Sequence, residues 1–172
     1  MSAVMASLFE DDGAIFSPCR SWRYLLWRIW DPEKPLATFI LLNPSVAGES
    51  APDPTVTRCI RRMMLRGYGG ILIVNLFGWV DSNPAALLTA LDPVGEDNDV
   101  HLMRAARRAD IVICGWGTKF PRGSSRHRAV LQMLREAGIT PMCLVKTKEG
   151  HPKHPLYVGY EVEPIALLDI AA

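Results

Sequence analysis

The period of apolar and polar positions changes several times along the chain, and each change predicts an element. Ser21 to Trp30 (SWRYLLWRIW) is dense in aromatic and β-favouring residues, Asp31-Pro32-Glu33-Lys34-Pro35 reads as a turn, and Leu36 to Leu42 (LATFILL) as a second strand. The two predict a β-hairpin whose second arm runs into the core. Residues 54–66 (PTVTRCIRRMMLR) place Val56, Ile60, Met63 and Met64 on one helical face, with Asp53 as N-cap, Pro54 in the first turn and Gly67 as the stop. Gly70 to Phe77 (GILIVNLF) is a strand of the buried type, and Asn83-Pro84 opens a short helix ending near Leu91. Asp97 caps a helix that ends near Arg108 and turns Val100, Leu102, Met103 and Ala106 inward. Asp110 to Cys114 (DIVIC) is a strand stopped by Gly115-Trp116-Gly117, Ser124 to Ala137 a helix stopped by Gly138, and Thr140 to Val145 (TPMCLV) the last strand. Apolar strands alternating with helical segments predict an α/β fold. Its three layers surround a mainly parallel central sheet of about four strands, preceded by the N-terminal hairpin.

Composition narrows the class without naming a partner. The 172 residues suffice for one domain with a substantial core, and no repeat, low-complexity tract or linker divides them. With 49% apolar and 22% charged residues, disordered, collagen-like and coiled-coil chains are excluded. The net charge of +1 hides an asymmetry: Arg58 to His154 holds 15 basic and 8 acidic residues, the remainder 4 basic and 10 acidic. A basic middle either presents a positive surface or solubilises helix faces. The four cysteines have no metal-type spacing, and Cys114 and Cys143 lie in apolar runs as small buried hydrophobes. Neither a disulfide framework nor a metal site is expected, and no cofactor. No 18-residue apolar segment exists and Glu10-Asp11-Asp12 stands where a basic leader would be, so a soluble, cytoplasmic protein is the expectation, with no membrane partner.

The unusual residues share a position. Each core strand ends in a polar group that a buried strand does not need: Asn43-Pro44-Ser45, Asn75, Gly115-Trp116-Gly117-Thr118, and the run from Lys146-Thr147 to His151 and His154. In an open parallel sheet the carboxyl ends of the strands share one edge, where ligands bind, so these groups are expected to converge on one cleft. Each also has a structural use: Asn-Pro as turn, the glycines as tight strand-to-helix turns, Trp116 as a core plug rather than a stacking surface. Asp53 either caps its helix or positions a water or substrate hydroxyl. The helix it opens carries Arg58, Arg62 and Arg66 four apart, a stripe that is either solvated or phosphate-contacting, and Thr55 with the free N–H groups of the helix start could hold a phosphate. No Walker A or GxGxxG fingerprint is present.

Arg23-Tyr24-x-Leu26-x-Arg28-x-Trp30, LLNPS (Leu41 to Ser45), DPT (Asp53 to Thr55) with Arg58-Cys59, GYGG (Gly67 to Gly70), VNLF (Val74 to Phe77), DPVGEDND (Asp92 to Asp99), Trp116-Gly117 and KTKEGHPKHPLY (Lys146 to Tyr157) resemble, in order, the bacterial family called domain of unknown function 1643. The resemblance spans about residues 20–160, leaving 1–19 and 161–172 peripheral to a single domain of 1–172. It implies motif identity and no activity. The order of an Asn-Pro loop, a strand ending in Asn, a strand ending in a Gly turn and a His-Pro loop is also similar to the uracil-DNA glycosylase superfamily. That likeness implies a glycosylase-like fold in which Asn43 orients water, Asn75 contacts a base, and His151 or His154 stabilises the departing base. The last loop here is His-Pro-Lys-His-Pro-Leu, so which histidine corresponds stays open.

The expected function is therefore an enzyme acting on a nucleobase-containing substrate through N-glycosidic hydrolysis, with nucleic acid or nucleotide as partner. Its expected catalytic residues are Asn43, Asp53, His151 and His154. Substrate contacts are expected from Pro44, Ser45, Asn75, Trp116, Gly117, Lys146 and Thr147, and phosphate contacts from Thr55, Arg58 and Arg62. The alternatives are a non-catalytic nucleic-acid binding module stacking bases on Trp116, Tyr68 or Tyr157, and an enzyme of free nucleotides or phosphorylated metabolites.

Overall fold

The structure, a computed structural model, describes residues 10–46 and 53–168. The expected peripheral termini therefore lie partly outside the described residues. Within them the chain is α/β, with a mixed sheet of seven strands in the order β1-β2-β4-β3-β5-β6-β7 and three α-helices. The strands are β1 (Asp11–Phe16), β2 (Arg23–Ile29), β3 (Leu36–Leu41), β4 (Gly70–Asn75), β5 (Ile111–Cys114), β6 (Pro141–Cys143) and β7 (Ile165–Ala166). The helices are α1 (Pro54–Leu65), α2 (Asn98–Arg108) and α3 (Arg126–Glu136). The helix expected after Asn83-Pro84 is a single 3-10 turn, Pro84–Leu88, capped by the Asn83 side chain.

The sheet is larger and more mixed than four parallel strands. β4, β3, β5 and β6 run parallel, while β1 and β2 at one edge and β7 at the other are antiparallel. The expected hairpin of β2 with β3 does not form. The turn at Asp31 closes through Lys34 N–H to Asp31 O, but β4 lies between the two strands and pairs with both. All six residues of β4 are buried, so it has no face to give to water and takes an interior place, whereas β2 keeps half-buried positions. The hairpin partner of β2 is β1, from a segment that carries no strong strand pattern.

Two apolar layers cover the sheet. On one face, Val56, Cys59, Ile60 and Met63 of α1 pack on Leu26, Ala37, Phe39, Ile71 and Ile73. On the other, α2 and α3 bring Leu102, Met103, Ala106, Val130 and Leu134 onto Ile40, Leu72, Val74 and Val112. The periodicity misplaced two residues: Met64 and Val100 face outward, at 41% and 56% exposure. Cys114 and Cys143 are buried free thiols, opposite one another across β5 and β6. No described helix is long and apolar enough to cross a membrane.

The connections fix where a ligand can sit. From β3 the chain crosses through α1 to β4 on one side, then through α2 and α3 to β5 and β6 on the other. That reversal between β3 and β5 opens a crevice at their carboxyl ends, the usual binding position in open α/β sheets.

Candidate functional site

A cleft of about 410 Å³ occupies this edge. The volume suits a small organic ligand. The loop after β3 supplies Asn43, Pro44 and Ser45; β4 supplies Asn75; the loop after β5 supplies Trp116, Gly117 and Lys119; and the last loop supplies Thr147, Lys153 and His154. Asp53 and Thr55 enter from the start of α1, Asp81 and Ser82 from the loop after β4, and Arg23 from β2. Leu41, Val56, Ile73 and Tyr157 make the walls apolar between these groups.

Three loops are locked together before any ligand arrives. The Asn43 carboxamide donates to Asp81 O at 2.8 Å, Pro44 O at 3.2 Å and Trp79 O at 3.4 Å. Asp53 is a true N-cap: its Oδ1 accepts from Thr55 N–H at 2.7 Å and Val56 N–H at 3.3 Å, while Ser45 Oγ lies 2.8 Å from its Oδ2. Capping and cleft lining are thus two uses of one carboxylate, not alternatives. On the far wall, a Cβ on Gly115 would come within 2.8 Å of Pro155 Cδ, so only glycine lets the His-Pro loop close onto β5. Gly117 follows at φ 69° and donates its N–H to Pro152 O at 2.9 Å.

His154 caps the short 3-10 turn Pro155–Tyr157, its Nδ1 accepting from Leu156 N–H at 3.3 Å. That bond assigns the proton of the neutral ring to Nε2, which makes His154 a hydrogen-bond donor. Burial pushes its pKa below the ordinary histidine value, Asp53 opposes the shift and Lys119 adds to it, so the ring is neutral at pH 7. Asn75 is 2% exposed, and among the described residues its carboxamide makes no hydrogen bond. Trp116 is 1% exposed with its indole N–H unpartnered; it both fills the core and lines the cleft.

Four residues expected at the site lie elsewhere. Lys146 pairs its backbone with Pro152, and Thr147 N–H donates to His151 O, so the loop folds back and turns His151 inward. There the His151 ring packs edge-on against Phe120 and His127, at 5.0 and 5.3 Å between centroids. Arg58 and Arg62 both donate to Val158 O at 2.8 Å, and Arg66 donates to Val162 O at 2.6 Å. The Tyr160 ring lies beneath the guanidinium groups of Arg58 and Arg62, at 4.4 and 5.5 Å. The stripe is not turned to the cleft, and of its three arginines only Arg62 is fully buried. It clamps the segment from Val158 to Glu163, and Arg62, at 0% exposure, reaches no ligand.

The residues missed are Arg23, Lys119, Lys153 and Asp81. For Arg23 a signal existed: an arginine at the head of a strand whose next four residues, Tyr24 to Trp27, carry no charge. Among the described residues no group of three or more His, Cys, Asp or Glu side chains is arranged to hold a metal ion.

The family described as "Protein of unknown function (DUF1643)" matches residues 23–156, from the cleft arginine of β2 to the turn capped by His154. The chain belongs to the DUF1643 family. Every cleft residue named above except Tyr157 lies within the part that this family shares. No curated protein and no solved structure matches the chain.

Proposed function

We propose that the cleft is the active site of a hydrolase that binds a nucleobase-containing small molecule and cleaves its N-glycosidic bond. The observation that carries this reading is the Asn75 carboxamide, on a residue 2% exposed and without a hydrogen bond among the described residues, in the same cleft as the His154 ring, whose Nε2–H is free to donate. An amide offers both a donor and an acceptor, the pattern a base edge requires. Trp116 and the apolar walls would take the flat faces of the ring.

The chemistry follows from charge. An N-glycosidic bond breaks with positive charge growing on the sugar and negative charge on the departing base. A neutral imidazole donating from Nε2 stabilises the base as it leaves, and the Asp53 carboxylate, fixed by its three partners, faces the growing cation. The Asn43 amide nitrogen is occupied by carbonyls, which leaves Oδ1 to accept from the attacking water. This is the division of labour that the likeness to uracil-DNA glycosylases implies, with His154 rather than His151 in the histidine role.

The substrate is read as a free nucleoside or nucleotide rather than a base in duplex DNA, because Arg58, Arg62 and Arg66 are bound to backbone carbonyls and cannot track a phosphate backbone. A second reading, a short single strand, is favoured by an adjoining surface groove lined by Pro84, Leu88, Lys119, Phe120 and Arg122.

The test is release of free base, followed by chromatography, from a panel of nucleosides, nucleotides and oligonucleotides carrying normal and deaminated bases. The expected result is base release from at least one monomer, with His154→Ala lowering kcat about 10²–10³-fold. No base released from any substrate by folded protein removes the glycosidase reading.

A further inference from the structure

β2 does not alternate regularly, and the irregularity decides where one arginine points. Leu25 and Trp27 face the α2–α3 layer, and Leu26 faces α1. Strict alternation would put Tyr24 toward α1 and Arg23 toward α2. The pairing instead slips: Ile15 opposes Leu25, but Phe16 opposes Arg23, so Tyr24 is an extra residue in β2. Both side chains change sides. Tyr24 stacks on His101 of α2, at 5.4 Å between centroids and 8° between planes, and Arg23 lines the cleft beside Asp53 and Val56 of α1. Bulges next to binding sites commonly re-aim a side chain in this way.

What the bulge delivers is a buried cation with nothing to hold. Arg23 is 4% exposed, its Nε is buried without a partner, and among the described residues its guanidinium makes no hydrogen bond. Buried charges are normally paired, because removal from water is costly. Asp53 acts on Arg23 through space without forming a salt bridge, and its oxygens already receive two N–H groups and lie against Ser45. Burial lowers the guanidinium pKa to about 10, which still leaves it charged at neutral pH. Lys119 and Lys153, both exposed, add two further cations to the lining against Asp53 and Asp81.

We propose that Arg23 anchors an oxyanion subsite at the β2 end of the cleft, and that the ligand carries a phosphate group which Arg23 holds through its two-pronged fork, with Lys119 and Lys153 closing on it. Arginine matches a phosphate bidentately, and three cations favour a dianion over a single carboxylate. This deepens the nucleotide reading without depending on glycosidic cleavage: the subsite is tested with no base present, and base release from a nucleoside lacking phosphate is tested without the subsite.

Inorganic phosphate is titrated into the full chain at constant ionic strength, followed by calorimetry and amide chemical shifts, with acetate as the second anion. Arg23→Met and Arg23→Lys are titrated alongside, each first checked for the wild-type fold by circular dichroism. The expected result is saturable phosphate binding to wild type, weaker acetate binding, at least a ~10-fold loss in Arg23→Met, and a smaller loss in Arg23→Lys, which keeps the charge but not the fork. No saturable phosphate binding, equal binding by Arg23→Met, or acetate binding tighter than phosphate overturns the proposal.

Discussion

Arg62 and Arg23 are both withdrawn from solvent, at 0% and 4% exposure, yet the chain surrounds them in opposite ways. Arg62 donates to Val158 O and Val162 O and sits over the Tyr160 ring, one of three arginines that fasten the segment after the His-Pro loop onto α1. Arg23 has a cleft in front of it and no acceptor among the described residues. Burial alone would rank the two as equals. Nε is buried without a partner in both, and the terminal nitrogens separate them: an arginine whose terminal donors meet carbonyls holds the fold together, and one whose terminal donors face a cleft is poised for something the fold does not contain.

The most forceful way to break this contrast is Arg62→Met. Val158 O and Val162 O each keep a second arginine, Arg58 and Arg66, so no carbonyl is orphaned. The loss is then the charge-assisted bonds and the packing over Tyr160, about 2 kcal/mol in chemical denaturation. A cost near zero would mean that the clamp adds nothing, and the distinction between the two arginines would fall.

The clamp also marks where the sequence stops being readable. The spacing of Arg58, Arg62 and Arg66 correctly puts them on one face of α1, but what lies opposite is the segment from Val158 to Glu163, about a hundred residues further on. No local pattern reports such a partner. Polar strand ends were legible because parallel strands share an edge by construction, so Asn43, Asn75, Gly117 and His154 fall into one cleft. Strand adjacency was not, since β4 displaces β3 from β2 through burial demand rather than chain order. Arg23 escaped notice because a one-residue bulge inverts the side that alternation assigns to it.

A smaller effect sharpens the comparison from the side of pH. His127 is 3% exposed with neither ring nitrogen partnered, a predicament like that of Arg23. It differs in having an exit: burial pushes its pKa below the ordinary value, with His151 and Arg128 adding to the shift, so the ring sheds its charge. His101, His151 and His154 are lowered too, each chiefly by burial. With folded pKa values below the unfolded one of about 6.5, the unfolded chain binds protons that the native state refuses. Stability is therefore full above about pH 6.5 and declines as pH falls toward the folded values. Thermal melts between about pH 7.5 and 5 should show this decline, and His127→Phe should make it shallower. An unchanged slope in the variant would place the acid sensitivity elsewhere.

The smallest expected effect is the most discriminating. Arg23 cannot discharge as His127 does, so its burial is a standing cost to the free protein. Replacing it with methionine removes the cation, keeps most of the apolar stem, and leaves Asp53 with its two N–H donors and Ser45. Unlike Arg62→Met, Arg23→Met should shift unfolding free energy by less than about 1 kcal/mol, in either direction. Added phosphate should raise the melting temperature of wild type clearly more than that of the variant at the same concentration, since stabilisation by a ligand follows its affinity. If Arg23→Met instead unfolds as readily as Arg62→Met, its guanidinium is a structural group like the clamp, and the open donors facing the cleft have no ligand to explain.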